Sequence, residues 1–140
     1  MISKMKKIFI LLLTLFIVSS CSVEESERFY YVTLPVESVD MPAEFIMGET
    51  YQIRISYHKP NSCYGFYGFV YEKNLNVRTI AVQTVVFEDN RNCTSYNENE
   101  TFEEILNFKP TNNGTYIFKF WHGKDSNGND IFLEYEIPVI

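Results

Sequence analysis

Two histidines, three cysteines and several close-set carboxylates are the side chains of this 140-residue chain best equipped for chemistry. A hydrolase needs a nucleophile, a histidine base and an orienting group in contact. His58 and His122 both fall at expected strand ends, and no Gly-x-Ser-x-Gly turn is present to expose a serine. Glu103-Glu104 and Glu134/Glu136 are carboxylate pairs of the kind used in glycoside hydrolysis. Adjacent or alternating glutamates on short strands read instead as solvated faces. The run Asp125-Ser126-Asn127-Gly128-Asn129-Asp130 offers oxygen ligands to calcium, but its glycine falls fourth where the EF-hand loop requires it sixth. An Asn127-Gly128 hairpin turn explains that run better. The expectation is a protein with no catalytic residues, no resident metal and no cofactor.

Binding chemistry is better supplied. Tyr64, Phe66, Tyr67, Phe69 and Tyr71 crowd one segment, and Trp121, the single tryptophan, lies near a loop. Planar rings stack on sugar rings and anchor protein interfaces. Strand alternation forbids Tyr67, Phe69 and Tyr71 from sharing a side with both Tyr64 and Phe66, so one set belongs to the core and the other faces out. Tyr67, Tyr71 and Trp121 form the expected binding face, for an envelope protein or a glycan. The competing expectation is that an opposite sheet and long loops cover both sides.

The elements that must position these residues are strands. Phe29 to Leu34 is aromatic and β-branched, and Pro35 stops it or confines it to an edge. From Thr50 to His58, Tyr51, Ile53, Ile55 and Tyr57 alternate with polar residues at the period of a half-buried strand. Turn residues at 59–62 lead into Tyr64 to Lys73, and Asn74-Leu75-Asn76 into Val77 to Glu88. A polar loop follows from Asp89 to Glu100, in which the sequons at Asn92 and Asn99, like that at Asn113, read as loop polarity. Thr101 to Phe108 fits either a helical face or a strand, with Thr101 and Glu104 spaced as a capping box; its shortness and β surroundings favour a strand. Thr115 to His122 and Ile131 to Ile140 complete the series. Short, regularly spaced strands with turn residues between them predict an all-β, antiparallel two-sheet sandwich.

The N-terminus carries a different message. Lys4, Lys6 and Lys7 precede an apolar run from Ile8 to Val18, then Ser19, Ser20 and Cys21. A positive region, a short apolar region and small residues at a cleavage point make a secretion signal, and the run is about half the ~20 residues that a membrane-spanning helix needs. Val18-Ser19-Ser20-Cys21 resembles the lipobox of bacterial lipoproteins. That resemblance implies diacylation of Cys21, cleavage before it and acylation of the new amine, which would hold the protein at a membrane surface. Ser22 with Glu24, Glu25 and Glu27 is similar to the export signal of surface lipoproteins from Bacteroidetes-type bacteria, implying an outer-membrane, surface-exposed location. The alternative is a solvated tether over residues 21–28.

Cleavage would leave 120 residues, one domain of ordinary size. Three of the 12 basic residues and none of the 18 acidic ones lie in the signal, so the charge becomes about −9. A balance of that sign repels phosphate backbones and argues against nucleic acid as a partner. With Cys21 lipidated, Cys63 and Cys93 remain in an oxidising envelope, where a disulfide between them is expected. A free thiol pair is the alternative, as is a metal site recruiting His58 and His122, though neither histidine stands at finger-like spacing from a cysteine.

Finally, Asn113-Gly114-Thr115-Tyr116 resembles the tyrosine corner of immunoglobulin-like domains. The resemblance implies that the Tyr116 hydroxyl bonds the preceding loop while its ring enters the core. Phe118 occupies the place of the cysteine of antibody domains, so their inter-sheet disulfide is missing. The expected organisation is a signal over 1–20, an acidic tether over 21–28 and an immunoglobulin-like sandwich of about seven strands over 29–140. Its expected role is a lipid-anchored interaction or structural module of the cell envelope. A carbohydrate-binding accessory lipoprotein is the first alternative, and an envelope hydrolase the second.

Overall fold

The computed structural model describes residues 28–88 and 92–140. The signal, Cys21 and Glu24, Glu25 and Glu27 lie outside the described residues. Those described form eight strands: β1 (Phe29–Leu34), β2 (Val36–Asp40), β3 (Tyr51–Tyr57), β4 (Tyr64–Asn74), β5 (Val77–Phe87), β6 (Phe102–Phe108), β7 (Thr115–Lys124) and β8 (Asp130–Pro138). The fold is an all-β sandwich, and the 102–108 segment is a strand. Its alternation of half-buried Phe102, Glu104 and Leu106 with exposed Glu103, Ile105 and Asn107 is the two-residue period of a sheet.

One sheet has five strands: β5 pairs β4 along its whole length on one edge, and on the other it pairs β1 and β7. Beyond β7 lies β8. The second sheet runs β2-β3-β6. Every pair is antiparallel except β5 with β7, which run parallel over Val77–Ile80 and Ile117–Phe120. Parallel neighbours need a crossover connection, and here β6 supplies it from the opposite sheet.

The eighth strand, beyond the seven expected, comes from Pro35. Rather than ending the first strand, it switches the chain between sheets. Leu34 faces inward from β1 and Val36 inward from β2. Lacking an N–H, proline cannot continue a ladder, so the break falls where pairing changes partners.

The core lies between the sheets. Ile53, Ile55 and Tyr57 of β3 meet Ile80 and Val82 of β5, with Tyr116, Phe118 and Phe120 of β7 and Phe45 from a loop. Phe108 packs edge-on against Tyr116 and Phe118, with centroids 5.0 Å apart in both pairs. Tyr116 forms the expected corner: its hydroxyl accepts hydrogen bonds from the backbone N–H of Thr111 at 3.1 Å and of Asn112 at 3.0 Å.

Cys63 and Cys93 form a disulfide with Cα atoms 5.4 Å apart. It fastens the loop after β5 to the entrance of β4, and backbone bonds from Ser62 N–H to the Thr94 carbonyl and Tyr96 N–H to the Pro60 carbonyl reinforce the junction.

Candidate functional site

The three residues expected to make one aromatic face are in three places. The cause is a bulge in β4. Phe66 pairs with Thr84 and Gly68 with Gln83, leaving Tyr67 as an extra residue between them. An unbulged strand would put Tyr67, Phe69 and Tyr71 on one side. With the bulge, Phe69 and Tyr71 join Tyr64 and Phe66 opposite Val82, Ile80, Val86 and Thr84, the inward row of β5. Tyr71 is therefore an inward residue at the sheet's open edge, near Arg78; burial raises its phenol above the ordinary range against the pull of that guanidinium. Tyr67 alone stands outside, 60 % exposed.

Trp121 also faces out, but further along the sheet. Tyr116, Phe118 and Phe120 take the inward side of β7, leaving Ile117, Lys119 and Trp121 on the outward one. A second bulge, at His122, follows directly. Gly123 completes it at φ 109°, a backbone region that favours glycine, with Pro35 so near that an added Cβ would lie 3.7 Å from its Cγ. The bulge turns the His122 ring to the Val36 carbonyl and leaves Trp121 beside Phe132 of β8.

Trp121, Phe132, Val70 and Ala81 line an open trough of about 370 Å³ on the outer face of the five-stranded sheet, with Thr33, Thr79, Glu72 and Asp130 supplying polar groups. That volume is within the range of small-molecule sites, roughly 300–1,000 Å³. Trp121 Nε1–H donates to Asp130 Oδ1 at 2.9 Å, and Lys124 Nζ donates to the same oxygen at 2.7 Å. Those bonds, first that from Lys124 and then that from Trp121, lower the Asp130 carboxyl below its usual range and keep it ionised. The indole is thus held in one orientation with an anionic acceptor at its edge.

Phe132, Val70, Glu72 and Asp130 were not among the expected site residues. For Phe132 a signal existed: the alternation of β8 places it with Glu134 and Glu136 on the polar side, so a large apolar ring stands where solvent-facing residues belong. No local signal marked Val70, because only the Tyr67 bulge decides its side.

The other candidate groups are held in structural contacts. His58 Nδ1 lies 2.9 Å from the Glu100 carbonyl, and Nε2 lies 3.7 Å from Glu37 on an open surface rather than in a cleft. His58 follows the end of β3, but His122, expected at a strand end, lies within β7 because that strand runs on through the bulge to Lys124, and the two rings have separate partners in the Glu100 and Val36 carbonyls. Glu103 lies 3.7 Å from Arg54, and Glu134 pairs with Lys119 at 2.9 Å across neighbouring strands. Asp125 Oδ1 accepts from the N–H groups of Asn127 and Asn129, and Oδ2 from the Asn129 amide, so its oxygens close the β7–β8 turn. Among the described residues no group of three or more His, Cys, Asp or Glu is placed to hold a metal ion.

The fold and this face define a class: a small disulfide-tied β-sandwich with an open aromatic trough on one sheet. No known protein family, no curated protein and no solved structure matches the chain.

Proposed function

We propose that this chain is a lipid-anchored, non-catalytic binding module of the bacterial cell envelope that engages its partner through the trough around Trp121. The lipobox-like Val18-Ser19-Ser20-Cys21 and the acidic residues after it support acylation of Cys21 and a place on the outer membrane, facing out. The observation that carries the binding role is the trough itself: an indole fixed by Asp130 and flanked by Phe132 and Val70, left open on the outer side of a sheet. A concave trough that combines a fixed indole and apolar neighbours with a few polar groups has the make-up of a small-ligand site.

A glycan as the partner is favoured by one feature. Sugar recognition combines a flat ring, on which the C–H face of a pyranose stacks, with acceptors for its hydroxyls. Trp121 provides the first, and Glu72 and Asp130 provide the second within the same trough. A glycan array and an envelope-protein pull-down with the oxidised domain, residues 22 to 140, separate the readings. Binding to glycans lost in Trp121→Ala, with the near-ultraviolet spectrum and disulfide retained, establishes the sugar reading. Binding to protein alone, lost in the same variant, establishes the interaction reading. Ligand capture unchanged in Trp121→Ala sinks the assignment of the trough.

A further inference from the structure

A second aromatic cluster occupies the other end of the same outer face. Phe29 and Tyr31 project outward from β1, Phe87 closes β5 opposite Phe29, and Tyr67 stands on the β4 bulge. Their rings touch in series, with centroids 6.5 Å apart for Phe87–Phe29, 5.7 Å for Phe29–Tyr31 and 4.6 Å for Tyr31–Tyr67. Tyr31 and Tyr67 meet across β5 beside Gly65, which pairs with Val85 and has no side chain to part them. All four stay open to solvent, at 52 % for Phe29, 46 % for Tyr31, 60 % for Tyr67 and 39 % for Phe87. Contiguous rings exposed to this degree call for a cover.

The covalent path of the chain says what that cover is. Phe29 lies eight residues beyond Cys21, so the link between a lipid on Cys21 and the first ring is at most roughly 26–29 Å even when fully extended. The cluster is where the chain enters the sandwich; the trough's rim at Thr33 lies two residues along β1 from Tyr31, roughly 7 Å, whereas Trp121 lies level with Ala81, four residues along β5 from Val85 and roughly 13 Å away. We propose that Phe29, Tyr31, Tyr67 and Phe87 seat the domain on the headgroup layer of the lipid bilayer. This inference rests on the acylation of Cys21 proposed above.

Tyrosine rings suit that layer, with the ring against acyl chains and the hydroxyl among headgroups, and phenylalanine adds apolar depth. The chain's negative charge, with Glu88 directly after Phe87, gives no attraction to anionic lipid, so the contact is aromatic rather than electrostatic. The domain then stands on one end of its five-stranded sheet, holding the Trp121 end of the trough clear of the bilayer and in a fixed orientation.

The test uses the full chain, produced with its own N-terminus and reconstituted into phosphatidylcholine vesicles. Mass spectrometry of the Cys21 peptide reads acylation. Tyr31→Trp and, separately, Tyr67→Trp serve as fluorescent reporters in vesicles whose lipid is brominated near the headgroup, with native Trp121 in the unaltered chain as baseline. Reporter emission is expected to fall by roughly half relative to ordinary vesicles, as for a ring at the interface, with or without anionic lipid, while Trp121 is unaffected. Adding Phe29→Ser and Phe87→Ser to the Tyr67→Trp chain restores the emission. Acylated Cys21 with unquenched reporters at both positions overturns the docking and leaves the anchor standing. Unmodified Cys21 removes both, and quenching that appears only with anionic lipid overturns the aromatic contact.

Discussion

Tyr57 and Tyr116 are both fully buried, and their hydroxyls have opposite fates. The Tyr116 hydroxyl takes two backbone N–H groups from the 111–112 loop, whereas the Tyr57 hydroxyl is buried without a hydrogen-bond partner. A buried polar group left unpaired costs about 1–3 kcal/mol in lost hydration. Tyr57→Phe, which keeps the ring against Phe66 and Phe102, is therefore expected to stabilise the domain by about 1 kcal/mol. Burial, with Glu104 adding repulsion, pushes the Tyr57 phenol up to about 12 from an ordinary 10.0. A folded-state value above the unfolded one means stability that is complete below pH 10 and lost as pH rises through 12. Urea midpoints measured across that window should fall for the native chain, and Tyr57→Phe should lack this component of the fall. Tyr116→Phe should go the other way, by about 1 kcal/mol, because water can reach the exposed Thr111 and Asn112 and relieve part of the loss.

At the scale of the strand, the decisive feature is the single extra residue at Tyr67. Residues on either side of it already pair in the parity of an unbulged ladder. Deleting Tyr67 should leave Phe66 and Phe69 facing inward and change stability by no more than about 1 kcal/mol, most of it the ring contact with Tyr31. Deleting Val70 instead lets the bulge close, which keeps Tyr71 opposite Ile80 but turns Phe69 out of the core, and should cost about 2–3 kcal/mol. Thermal unfolding of the two deletions, side by side, checks the assignment; equal damage from both would refute it. Gly123 at the His122 bulge and Pro35 at the sheet switch act in the same local way. All three were present in the sequence as a glycine, a proline and a crowded aromatic run, but none announces a bulge or a change of sheet by itself.

At the scale of the molecule, the Cys63–Cys93 bond locks together two connections that the Ser62–Thr94 and Pro60–Tyr96 backbone bonds already join. With its ends 30 positions apart in sequence, the loop-entropy model gives it about 3–4 kcal/mol of stabilisation by restricting the unfolded chain. The Cys63→Ser, Cys93→Ser double variant should unfold at correspondingly lower urea, and reductant should reproduce the change in the native chain while leaving the variant unmoved. The cysteines were legible in advance because only one pairing was open once Cys21 was set aside. Strand positions, the inward rows of β3 and β7, and the tyrosine corner at Tyr116 were legible too, since each rests on a two-residue period or a short turn motif. The trough was not: Trp121 was named, but its companions Phe132, Val70, Glu72 and Asp130 come from two other strands. The sequence by itself determined most of the strands, with β2 missed and 102–108 only favoured as a strand, and, within each unbroken one, which side chains alternate, because side-chain direction follows from local backbone geometry. Only the tertiary structure decided which sheet each strand joins, where a bulge reverses the alternation and which outer face remains bare, because those depend on pairing between segments far apart in the chain.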